Sequence, residues 1–176
     1  GIRSNSVYSL LVDDRGAVWV GHFQAGLDYS LYQNGLFRTY AYPPLFNSAN
    51  LSIRSFISRG QEKVIGSRDG LFYINEATGM VKSFVKPVLT SDLILTICFY
   101  QGEYYIGTYG GGMMVLNPET LSLKYFSQSD TELFQKGHIF CVKPDTKGNL
   151  WIGTSQGLFN YNGQTKQIKH FTSANS

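Results

Sequence analysis

Residues 150–162 read LWIGTSQGLFNYN, with Trp151, Ile152 and Phe159 set around Gly153 and Gly157. Three other stretches repeat the design: VWVGHFQAGLDYS at 18–30, KVIGSRDGLFYIN at 63–75 and YYIGTYGGGMMVLN at 104–117. The glycines that follow Val or Ile, namely Gly21, Gly66, Gly107 and Gly153, lie 45, 41 and 46 residues apart. A second glycine (Gly26, Gly70, Gly112, Gly157) recurs at 44, 42 and 45, and a closing aromatic (Tyr40, Phe84, Phe126, Phe171) at the same three intervals. Three sets of anchors drift together, so the chain is four copies of one unit.

Within the first unit, VYSLLV is an apolar run, DDRG a turn, AVWVG a second strand and HFQAG a second turn; LDYSLY and LFRTYA then alternate on either side of QNG. Asn34-Gly35 is a tight-turn pair, and Thr78-Gly79 and Asn162-Gly163 are expected at the corresponding place. Helical periodicity is not sustained over any useful length. Four-stranded units at this period are propeller blades, each of which must stack on a neighbour to bury its apolar faces. The predicted fold is therefore all-β, with four-stranded antiparallel blades at 1–44, 45–88, 89–130 and 131–176. The runs VYSLLV, LSIRSFI, LILTICF and IFCVK are expected innermost, being the most apolar. Two residues before each anchor stand Trp19, Val64, Tyr105 and Trp151. Trp19, Tyr105 and Trp151 are expected buried between blades, with Gly21, Gly66, Gly107 and Gly153 relieving the crowding beside them.

Composition agrees and narrows the function. Twelve Tyr, twelve Phe and nineteen Gly favour strands and turns. The net charge of +3 comes from scattered Lys and Arg, which speaks against a nucleic-acid partner. No apolar run reaches the length of a membrane span, so no membrane contact is expected of this segment. Cys98 and Cys141 are too few for a disulfide framework and are expected buried and reduced.

Catalytic chemistry finds little purchase. His22, His138 and His170 show no metal-ligand spacing, and no cofactor or metal is implied. The glycines at 110–112 resemble a phosphate loop but precede no helix, and a turn between strands fits them better. Asp13 and Asp14 suit a turn. Asp69 beside Arg68 suggests a local ion pair. No carboxylate pair is arranged for glycan cleavage.

The fourth copy, HIFCVKPDTKGNLWIGTSQGLFNYNGQTKQIKHF, and the first, SNSVYSLLVDDRGAVWVGHFQAGL, resemble the two-component regulator propeller repeat, in which Asp-x-x-Gly precedes Leu-Trp-Ile-Gly-Thr and a further glycine. The second and third copies depart: Val64 and Tyr105 replace Trp, and the Asp-x-x-Gly turn is lost before Gly60 and Gly102. The resemblance implies a periplasmic sensor region of a hybrid two-component system that responds to oligosaccharides. The kinase, receiver and DNA-binding parts would lie elsewhere in a longer chain. It further implies a seven-bladed ring, of which these blades are about half. The remaining blades of the same chain, or a second copy in a homodimer, would cover the open faces of the first and last blade.

In such a ring the loops between second and third strands share a face with the entries to the first strands. That face gathers Phe23, Gln24, Arg68, Asp69, Tyr109 and Gln156 with Ser4, Asn5, Asn50, Asp92, Lys136 and His138. Aromatic rings and planar polar groups suit a sugar. The leading expectation is thus a non-catalytic sensor fragment that binds through Phe23, Gln24, Arg68, Asp69, Tyr109, Gln156 and His138. Its rivals are a structural or protein-binding half-propeller and, more remotely, an enzyme like the streptogramin lyases, whose catalytic residues find no match here.

Overall fold

The structure is a computed structural model that describes residues 1–30, 36–40, 51–126 and 132–174. The expected Asn34-Gly35 turn and the Asn50 entry lie outside the described residues. Four sheets of four strands form, each antiparallel and in sequence order. The first comprises β1 (Val7–Val12), β2 (Val18–His22), β3 (Leu27–Ser30) and β4 (Phe37–Thr39). The second comprises β5 (Ile53–Arg59), β6 (Glu62–Ser67), β7 (Gly70–Asn75) and β8 (Met80–Phe84). The third comprises β9 (Ile94–Tyr100), β10 (Glu103–Thr108), β11 (Met113–Leu116) and β12 (Leu123–Tyr125). The short helix α1 (Glu132–Lys136) precedes the fourth, made of β13 (Ile139–Pro144), β14 (Asn149–Thr154), β15 (Gly157–Asn162) and β16 (Ile168–Phe171). These are blades of the all-β propeller type, and α1 is the one helical piece among the described residues. Among the described residues no helix is long and apolar enough to cross a membrane.

The blades pair into two compact units, 1–85 and 86–176. In unit 1 the core holds Trp19, Leu27, Tyr40, Ile53, Phe56, Ile65 and Ile74; in unit 2 it holds Tyr105, Met113, Phe126, Phe134, Val142, Ile152 and Tyr161. Within each unit the first strands of the two blades stand side by side, β1 by β5 and β9 by β13, as expected of inner strands.

The join between blades is built the same way in both units. A Cβ on Gly21 would come within 2.9 Å of the Ile53 carbonyl oxygen, and one on Gly107 within 2.7 Å of Ile139 Cγ2. The next blade thus seats an isoleucine on the bare anchor glycine, and a larger residue would push it away. Beside the glycine a hydroxyl crosses the join. Ser9 Oγ donates to the Ile53 carbonyl (3.2 Å), and Thr96 Oγ1 accepts from Val142 N–H (3.3 Å).

Trp19 lies at the same join, in ring contact with Tyr29, Tyr40 and Phe56 and beneath the ammonium of Lys63 (5.5 Å from the ring centroid). Lys63 itself is buried and paired with Glu76 (2.7 Å), which also accepts from the Tyr40 hydroxyl. Tyr105 is likewise buried, against Tyr100 and Phe126. Trp151 corrects the expectation of burial. It is only half-buried, with a stacked contact to Phe171, because its repeat position faces the next blade along and no further blade follows among the described residues. Cys141 is exposed for the same reason, since it occupies the position of Ser9 and Thr96 opposite the anchor glycine. Cys98 is buried and unbridged, and burial pushes its thiol up to about 12 against the opposing pull of Lys143.

The turn chemistry explains why Trp and Asp vary together. Asp13 accepts from the backbone N–H groups of Arg15 and Ala17 and from Trp19 Nε1 (3.0 Å). Asp145 does the same with Lys147, Asn149 and Trp151 Nε1 (3.0 Å). One carboxylate closes the turn and holds the indole. Where the Trp is absent the turn is a different object. Gly60-Gln61 and Gln101-Gly102 are two-residue hairpin turns, with positive φ at Gly60 and at both Gln101 and Gly102.

The turns between third and fourth strands also differ from expectation. Asn75, Asn117 and Asn162 each accept from the N–H groups two and three residues on, and the loop ends in a left-handed residue: Gly79, Leu121 or Lys166. Gly163 is therefore not the counterpart of Gly79. It is small because the Tyr100 hydroxyl sits over it and accepts its N–H (3.0 Å).

Candidate functional site

All four first strands slip register after their first pair. Val7 faces His22 and Ser9 faces Gly21; Ile53 faces Ser67 and Ser55 faces Gly66. Ile94 faces Thr108 and Thr96 faces Gly107; Ile139 faces Thr154 and Cys141 faces Gly153. The skipped residues are Tyr8, Arg54, Leu95 and Phe140. A bulge takes its extra residue out of the alternation and re-aims the side chain. Tyr8 and Phe140 are exposed, and Arg54 and Leu95 half-buried. None of the four was among the residues selected from sequence, because an extra residue inside an apolar run leaves no mark on its pattern.

In unit 1 the bulge builds a cluster of ring and cation. Phe23 packs on Tyr8 with centroids 5.2 Å apart, and the Arg54 guanidinium lies 4.8 Å from the Tyr8 centroid. Residues 51–52 tie the neighbouring loops to it. Gly26 N–H donates to the Leu51 carbonyl, Gln24 N–H to Ser52 Oγ, and Arg68 N–H to the Ser52 carbonyl. Phe23, Gln24 and Arg68 are thereby brought together, with Gln24 held exposed in the left-handed region at φ 51°. Asp69 is exposed, its N–H bound to Ser67 Oγ, and it makes no ion pair with Arg68.

His22 is not a loop histidine. It is fully buried at the end of β2 and meets the equally buried Asp28 at 3.0 Å, while Arg3 N–H donates to the same carboxylate oxygen (2.7 Å). Ser67, Thr108 and Thr154 hold this position in the other blades, where each hydroxyl donates to the carbonyl of the second glycine (Gly70, Gly112, Gly157). The glycines at 110–112 form the expected turn, and Gly112 lies hard against the Phe134 carbonyl of α1.

In unit 2, Tyr109 stacks on His138 at 4.0 Å, and His138 leans on Phe140 at 6.2 Å. Ser155 N–H donates to the His138 carbonyl, which draws the loop carrying Gln156 to the same end. A cleft of about 570 Å³ opens beside Gly110 and Gly111, walled by Thr90, Tyr125, Gln135 and Lys136. A smaller recess of about 350 Å³ joins Lys136 to Gln156. His170 stands apart, exposed, with Nε2 bonded to the Gln156 carbonyl and its ring flat on Phe159 (3.9 Å). Among the described residues no three His, Cys, Asp or Glu gather as metal ligands.

Residues 1–24 and 134–156 match the family model of the two-component regulator propeller. The matched segments are in the first and fourth blades, the two that keep both Trp and its Asp turn. Over 96% of its length the chain is similar to the extracellular domain of a hybrid two-component system of B. thetaiotaomicron, at 26% identity and TM-score 0.72. It is similar in fold to a second such domain from that organism (19% identity, TM-score 0.59, 97% of this chain). The same holds for PorZ, a surface component of the type-IX secretion system of Porphyromonas gingivalis (16% identity, TM-score 0.70, 97% of this chain). The chain spans only 24% of the first of these and 28% of each of the others. No curated protein matches it.

Proposed function

We propose that the chain is part of the periplasmic sensor region of a hybrid two-component system with a histidine kinase, and that it contributes to binding an oligosaccharide. The carrying observation is the likeness along 96% of the chain to the extracellular domain of such a system. The loop-end clusters support the ligand class. In unit 1, Tyr8 and Phe23 offer flat apolar surface for the C–H face of a sugar, with Gln24 and Arg68 beside them as planar polar groups for hydroxyls. In unit 2, Tyr109 and Phe140 offer such a surface, with Gln156 as the planar polar group. A non-catalytic role is supported by the engagement of His22 with Asp28 and of Asp13 and Asp145 with their turns. Further blades of the same longer chain complete the ring.

Calorimetric titration of the chain with a panel of oligosaccharides tests the reading. One sugar class should give saturable heat, weakened about 3–10-fold in Tyr109→Ala, the worth of one ring contact. No heat from any sugar contradicts ligand binding, and release of cleaved products would make the segment an enzyme.

A further inference from the structure

One of the four bulge positions breaks the repeat. Tyr8, Leu95 and Phe140 are apolar or aromatic, whereas the second blade places Arg54 there. Among the described residues no carboxylate bonds it, and its Nε–H is buried with no acceptor. A cation that gives up part of its hydration without a counter-charge is costly, which leaves this guanidinium disposed to pair with an incoming anion. The guanidinium is also pre-positioned, lying over Tyr8 with Phe23 behind. Arg68, exposed and without an ion pair among the described residues, hangs from Ser52 two residues before Arg54.

We infer that this cluster is a subsite for the carboxylate of an acidic sugar, a uronate unit within the oligosaccharide. Arg54 takes the carboxylate through its planar fork of N–H donors, for which a lysine is no substitute. Tyr8 and Phe23 take the apolar face of the same ring, and Arg68 adds long-range attraction. The inference rests on the sensor reading above and refines its ligand from a sugar to an acidic one.

The test uses disaccharides in matched pairs, each as the neutral sugar and as the same sugar with its terminal C6 hydroxymethyl oxidised to a carboxylate. They are titrated into the chain by calorimetry. At least one uronate should bind ~10-fold or more tighter than its neutral twin, the strength of a charge-assisted hydrogen bond. Arg54→Gln should bring that ratio to about one, with a melting curve that confirms the fold. Arg54→Lys, which keeps charge and bulk, guards against a misfolded glutamine variant and should lower the ratio at least ~3-fold. Neutral twins binding as tightly as the uronates, or a preference that survives both variants, would overturn the acidic subsite and leave the sensor reading standing. Binding of neither form would overturn both.

Discussion

Trp19 and Trp151 hold the same place in the repeat, and their indoles are tied identically, each to the aspartate of its own turn at 3.0 Å. Trp19 is 5% exposed, covered by Phe56 and Lys63 of the next blade, whereas Trp151 is half-open. The turn lock therefore belongs to the single blade, and the burial belongs to its neighbour. The same contrast runs through the whole face. Leu27 is buried and its counterpart Leu158 is 40% exposed; Tyr40 is buried and Phe171 is not.

The comparison can be broken most severely by truncating the two indoles. Trp19→Ala should lower unfolding stability by about 3–5 kcal/mol, the cost of a large buried aromatic. Trp151→Ala should cost about 1–2 kcal/mol, chiefly the lost bond to Asp145. Urea unfolding of the two variants measures both. Equal losses would mean that the last blade is covered as the first is.

A methyl group sharpens the same contrast. In Gly21→Ala the new Cβ meets the Ile53 carbonyl at 2.9 Å, and the overpacked join should cost about 1–3 kcal/mol. In Gly153→Ala it meets only the exposed Cys141, Sγ at 2.5 Å and the carbonyl at 3.9 Å, and that sulfur can swing away. The loss should then stay below about 1 kcal/mol.

The smallest effect is one that the two blades should share. Hydrogen bonds from the side chain and backbone of Asn149 hold the Asp145 carboxyl down at about 2, with Trp151 and Lys147 adding to them despite an opposing desolvation. At Asp13 desolvation pushes the other way, and the combined bonds from Trp19, Ala17 and Arg15 still leave it lowered. A depressed carboxyl stabilises the fold above its unfolded value of about 3.9 and loses that contribution as pH falls through its folded value. Asp145→Asn should therefore flatten the fall in the urea midpoint between pH 5 and pH 2. An unchanged slope would show that the turn carboxylate is not what titrates.

Much of the fold is legible in the sequence. The anchor glycines and the Trp position come from spacing alone, and the joint loss of Trp and Asp in the second and third copies is visible there too. Its reason is not, because the indole–carboxylate bond spans six residues and two strands. Trp151 and Cys141 escape a sequence reading because burial at a blade join depends on the presence of the next blade. The bulge residues Tyr8, Arg54 and Phe140 escape it because VYSLLV and its counterparts have no strict alternation for an extra residue to interrupt. His22 could have been found. The other copies put Ser67, Thr108 or Thr154 in its place, and a histidine paired with an aspartate six residues on stands out once the copies are aligned.

Because Trp19 and Trp151 are the two tryptophans of the chain, fluorescence can address each alone. Acrylamide quenching of Trp151→Phe reads Trp19, and quenching of Trp19→Phe reads Trp151. The account predicts blue-shifted, poorly quenched emission from Trp19 and red-shifted, readily quenched emission from Trp151. Equal quenching of the two would contradict the claim that a neighbouring blade, rather than the repeat itself, buries this residue.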